Sequence, residues 1–149
     1  MKDLKYLFAY TVPISVYISF INTGIWTYSA VFYVFLLIPL LDFLIGETEK
    51  NLSNNDAAYQ NKKWIFDIML YFNVPIIFGL LYVIFSLFQV NNYNTFETIG
   101  LALSTGILLA TNGINVAHEL GHRKPYFERL LSKLLYMPCL YMHFYIEHN

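Results

Sequence analysis

The stretch TIGLALSTGILLATNGINVAHELGH, Thr98 to His122, carries no charge from Thr98 to Ala117 and then runs directly into two histidines that flank Glu119. An uncharged run of that length matches the ~20 residues that carry a helix across a bilayer core of ~30 Å. Histidines at i and i+4 project from one face of a helix, the simplest way for a helix to offer two imidazole nitrogens to one metal ion. The stretch therefore predicts a transmembrane helix that ends in a pair of metal ligands. All four histidines of the chain lie from His118 onward, so a third ligand is within reach in His143-Phe144-Tyr145-Ile146-Glu147-His148-Asn149.

Working outward, three more apolar runs cover Tyr6 to Ile21, Ile25 to Ile45 and Trp64 to Val90. Asn22-Thr23-Gly24 and Asn91 to Glu97 are short turns, and the polar stretch Gly46 to Lys63 links the two pairs. The expected fold is an all-α integral membrane protein, with four transmembrane helices in two hairpins plus a re-entrant or interfacial helix. Pro13, Pro39 and Pro75 fall inside spans, where neighbouring helices can satisfy the freed carbonyls. The amino-terminal run is read as an uncleaved first span, since no small-residue cleavage site precedes the next run.

Composition agrees. Apolar residues make up 57% of the chain, charged residues 13%, and mean hydropathy is +0.47, against about a quarter charged in soluble proteins. A net charge of -1 leaves no basic excess for nucleic acid, and Cys139, the only cysteine, excludes an internal disulfide or a CxxC pair.

None of the nine basic residues lies in either short turn. The positive-inside rule then puts both termini and the middle link in the cytoplasm of a multi-pass inner-membrane protein, with His118 and His122 on the cytoplasmic face. Leu134 to Ile146, between Lys133 and Glu147, would make a helix of ~20 Å, too short to cross. A re-entrant or interfacial helix brings His148 back to the side of His118 and His122. Ala102, Gly106, Ala110, Gly113 and Ala117 form a small-residue stripe expected to pack against a neighbouring helix.

The pattern HExxH is also a zinc-protease signature, with two histidines on zinc and the glutamate as general base. One reading is therefore a membrane-embedded metalloprotease using Glu119, with Glu147 or His148 as third ligand. Another, from a non-enzyme class, is a helical scaffold or transporter with interfacial histidines, for which Asp67 near a helix start is weak support.

A wider match separates these readings. Asn115-Val116-Ala117-His118-Glu119-Leu120-Gly121-His122-Arg123-Lys124 and His143-Phe144-Tyr145-Ile146-Glu147-His148-Asn149 closely resemble the first two histidine motifs of the membrane-bound alkane monooxygenases, within the fatty-acid desaturase-like superfamily. Pro39-Leu40-Leu41-Asp42-Phe43-Leu44-Ile45-Gly46-Glu47 is similar to that family as well. The resemblance implies a non-haem di-iron centre that uses O2 to hydroxylate the terminal methyl of an alkane or related hydrophobic substrate, with electrons from a rubredoxin-type donor. Fatty-acyl desaturation or hydroxylation and aryl-methyl oxidation are the alternatives within the superfamily.

Carried over residue by residue, the resemblance makes His118, His122 and His148 iron ligands. His143 becomes a flanking residue, and Glu119 a partner that orients imidazoles. The family's second motif continues with a paired histidine shortly after the Asn, and a third motif follows much further on. The expectation is that residues 1–149 are an amino-terminal part of a transmembrane oxygenase domain, inactive alone, with the remainder beyond Asn149. Arg123, Lys124, Arg129 and Lys133 crowd between the two motifs and suit either an acidic electron donor or anionic lipid headgroups.

Overall fold

The computed structural model describes residues 7–45 and 64–148, the last through its backbone alone. The link from Gly46 to Lys63 lies outside them, as do Lys2 and Lys5, so the basic residues there add nothing structural to the orientation argument.

Helix α1 is Leu7–Ile21, α2 is Gly24–Ile45, α3 is Trp64–Val90 and α4 is Thr95–Gly121. Two shorter helices follow: α5, Tyr126–Tyr136, and α6, Met142–His148. The last three of the four expected spans are long and apolar enough to cross a bilayer. Within the described residues α1 is ~22 Å long, shorter than the ~30 Å core, so three helices there are long enough to cross. Phe43 is 84% exposed and Tyr82 74% exposed, among many outward-facing apolar residues of α2 and α3. Apolar surface on that scale is tolerated against lipid, and together with the three long apolar helices it identifies a membrane protein.

The chain turns from α1 to α2 at Gly24, whose φ of +62° suits a residue with no Cβ. Helices α1 and α2 pack side by side. The second pair is less regular. The first half of α4 lies against α1 and the start of α2, while α3 meets α4 at a π-helical turn, Leu109–Ile114, and towards its end. Asn94 caps α4 through a capping box with Glu97, so the helix starts inside the stretch expected to be a turn. The carboxylate of Glu97 also accepts from the Gly24 N–H at 2.7 Å, tying α4 to α2.

A π-helical turn inserts one residue and rotates everything after it by about a quarter turn. The small-residue stripe is divided accordingly. Gly113 and Ala117 are buried, whereas Ala102, Gly106 and Ala110 point outward. The close approach is made instead by Gly100, where an added Cβ would lie 2.3 Å from Thr27 Oγ1 and 2.6 Å from the Tyr28 ring.

Helix α5 doubles back along α4. Ser132 donates to the Ala117 carbonyl at 2.6 Å, and further along the chain Cys139 lies against Leu109 and Gly113. The contacts retreat down α4 as the chain advances. The segment ends in a double hydrogen bond, Tyr141 N–H to Tyr136 C=O and Leu140 N–H to Met137 C=O, with Leu140 at φ +52°. This is a Schellman closure with leucine at the usual glycine position, a conformation that costs about 1 kcal/mol. It turns the chain so that α6 returns towards the end of α4.

Candidate metal centre

His118 lies in the last turn of α4 and His122 caps it. Their Nε2 atoms are 3.0 Å apart, with the rings crossed at 80°. Two nitrogens bound side by side on one ion with ~2.1 Å bonds lie about 3 Å apart, a separation that this pair matches. The i,i+4 spacing works here because the helix remains regular from Asn115 to Gly121, beyond the π-helical turn.

Helix α6 passes beside this pair. The Phe144 ring is 5.7 Å from that of His118, and Phe144 belongs to an aromatic group with Tyr136 and Tyr141. His148 closes α6, but its side chain lies outside the described residues, and the expected convergence of three imidazoles falls there too. Among the described residues no cluster of three or more His, Cys, Asp or Glu is assembled for a metal. Glu147, the alternative third ligand, is exposed and joins no such cluster. His143 is exposed and rests edge-on against Tyr141.

Two expectations need correction. The carboxylate of Glu119 is turned towards Arg123, at 3.6 Å, and the side chain is 59% exposed. Its described partner is Arg123, in a solvent-exposed pair worth little on its own, and not an imidazole. Arg123 does not face outward for a partner either. Its side chain is 26% exposed, and the guanidinium bonds Asp67 of α3 and, at 3.1 Å, Glu128 of α5. The Tyr71 hydroxyl donates to the same Glu128 oxygen. Burial opposes the Arg123 charge, but the hydrogen bonds and charges of Asp67 and Glu128 outweigh it and hold the group above its usual range.

Three elements are thus tied together one residue beyond His122. Glu128, with a side chain only 7% exposed, is the centre of the tie, and a buried carboxylate so placed demands partners. Sequence reasoning missed it, although Asp67, the sole acid of its span, was a signal.

Beside the tie lies a cleft of about 810 Å³ between α1, α3 and α4, reaching from Asp67, Glu119 and Arg123 at one end to Asn73 and Asn112. Asn112 donates to Asn73 at 2.8 Å, and Thr111 donates to Asn112. These polar side chains sit at the π-helical turn, where the loosened helix backbone and a paired amide hold α3 against α4.

The chain is 35% identical over 115 residues to alkane 1-monooxygenase 1 of Alcanivorax borkumensis, covering 76% of this chain and 28% of that protein. It is 34% identical over 138 residues to the alkane 1-monooxygenase of Pseudomonas putida and 33% identical over 138 residues to that of Ectopseudomonas oleovorans, in each case covering 85% of this chain and 34% of the relative. The chain therefore spans about a third of the length of these curated relatives. No family model and no solved structure matches it.

Proposed function

We propose that this chain, a relative of the alkane 1-monooxygenases, supplies the membrane scaffold and the first ligands of a non-haem iron monooxygenase that hydroxylates the terminal carbon of alkanes. The carrying observation is the pair of imidazole nitrogens 3.0 Å apart at the end of a membrane-spanning helix. His118, His122 and His148 are assigned to a di-iron centre on the cytoplasmic face of the inner membrane. Three ligands are too few for two irons, so further ligands come from residues other than these.

A bound iron centre supplies the oxidant that an inert C–H bond requires. The balance is one alkane, one O2, two electrons and two protons to one alcohol and one water, with a rubredoxin-type protein as electron donor. The chain's own residues perform narrower tasks. His118 and His122 present lone pairs at a fixed separation because the tie of Arg123 to Asp67 and Glu128 holds the helix end. Phe144, backed by Tyr136, lies against the His118 ring and limits access of water on that side. An alkane dissolved in lipid approaches from the bilayer, along the apolar faces that α2 and α3 leave exposed.

The direct test supplies octane and ¹⁸O2 to the intact protein, together with any sequence adjoining residues 1–149, in membranes with a reduced rubredoxin. One ¹⁸O atom is expected in 1-octanol. Glu119→Gln should retain more than half of that activity, because Glu119 pairs with Arg123 and is not the base. Peptide cleavage lost in Glu119→Gln, without octanol formation by the unaltered protein, would establish the protease instead.

A further inference from the structure

The outer face of α5 carries Tyr126, Arg129, Leu130, Lys133 and Met137, which lie on one side of the helix at spacings of three and four. All five are exposed, Tyr126 at 75% and Met137 at 56%. The opposite side, Glu128, Leu131, Ser132, Leu135 and Tyr136, is packed against α4 and its neighbours. Arg123 is neutralised by its carboxylates, but Lys124, Arg129 and Lys133 have no carboxylate within ion-pairing distance among the described residues. Lys124, Arg129, Tyr145 and Ile146 line a pocket of about 650 Å³ between α5, α6 and the end of α4, where His122 forms part of its wall, and the Lys133 ammonium lies 5.0 Å from the centre of the Tyr145 ring.

We infer that this face and pocket bind the phosphate of an anionic phospholipid. Charge complementarity selects an anion, and the apolar residues select its source. A surface built for a soluble acidic protein would present cations within a polar rim, whereas here Tyr126, Leu130 and Met137 stand between the cations on a helix that folds back along a membrane span. Long basic side chains on such a face lay their stems along apolar surface and lift their charges to the headgroups. The inference is argued from the cations and apolar residues of α5 and not from the oxygenase reading, although the pocket abuts the proposed ligand His122, and it turns the basic cluster away from donor docking.

The test uses the intact protein in neutral detergent, titrated with short-chain phosphatidylglycerol or phosphatidylcholine and read by native mass spectrometry at 0.05 and 0.5 M salt. Each juxtamembrane cation contributes roughly fivefold in affinity for an anionic surface. Phosphatidylglycerol should therefore bind at least tenfold more tightly than phosphatidylcholine at low salt. Lys124→Gln, Arg129→Gln and Lys133→Gln together should erase the preference, and Arg129→Gln alone should reduce it severalfold if the triple variant fails to fold. Lys133→Arg should retain it.

A preference that survives the triple substitution, or none at the outset, overturns the proposal. So does inorganic phosphate bound as tightly as the lipid, which would mark a free-anion site. Loss of acidic rubredoxin binding in the triple variant, with lipid preference unchanged, would assign the surface to the protein donor and equally overturn it.

Discussion

The two ends of α4 are secured by different physics. At the Asn94 end the helix is held by close contact: Gly100 lets Thr27 and Tyr28 approach within a distance no side chain would permit, Tyr28 donates to the Phe96 carbonyl at 2.9 Å, and Ser104 donates to the Thr27 carbonyl at 2.9 Å. At the His122 end it is held by charge, through Arg123, Asp67, Glu128 and Glu119. An ionic tie with fixed hydrogen bonds suits the end where two imidazoles must stay in register. One end of α4 is packed and the other is tied by charge, beside the proposed metal ligands.

The largest effect should follow from cutting the ionic end. Glu128→Leu removes the shared acceptor of Arg123 and Tyr71 and leaves a half-buried guanidinium with a single strong partner; loss of one member of a buried charge cluster costs about 3–5 kcal/mol. Unfolding in mild detergent should register that loss, and the protein that remains folded should bind iron at least tenfold more weakly. Unchanged iron affinity would mean that the tie serves stability alone. At the packed end, Gly100→Ala forces Thr27 and Tyr28 aside at a cost of about 1–3 kcal/mol. Here the expected result is a lower Tm with iron per folded molecule unchanged. A matching loss of iron from this substitution would erase the distinction between the ends.

The same contrast explains what could be read in the sequence. Spans and histidine pair follow local rules, hydrophobic length and i,i+4 spacing, and Trp64 to Val90 is a helix over the residues expected. The start of α4 was partly visible, since Asn94 and Glu97 have the spacing of a capping box. The π-helical turn was not visible. Nothing in Leu109-Ala110-Thr111-Asn112-Gly113-Ile114 announces an inserted residue, and a stripe drawn at uniform pitch placed Ala102, Gly106 and Ala110 on the wrong face while passing over Gly100. Arg123 was taken for a surface charge because its partners lie 56 residues before it and five after it. Pairings over such separations depend on which helices meet, and that is a property of the fold and not of any window of residues.

The central claim is that His118 and His122 hold the same metal ion, and the most direct measurement is metal content with X-ray absorption at the iron edge for the intact protein and two variants. Iron with nitrogen ligands at ~2.1 Å is expected in the unaltered protein. His118→Ala and His122→Ala should each lower bound iron at least tenfold, because neither nitrogen has a substitute on that face of α4 among the described residues. Stoichiometric zinc without iron, or iron retained at full occupancy in either variant, would contradict the account.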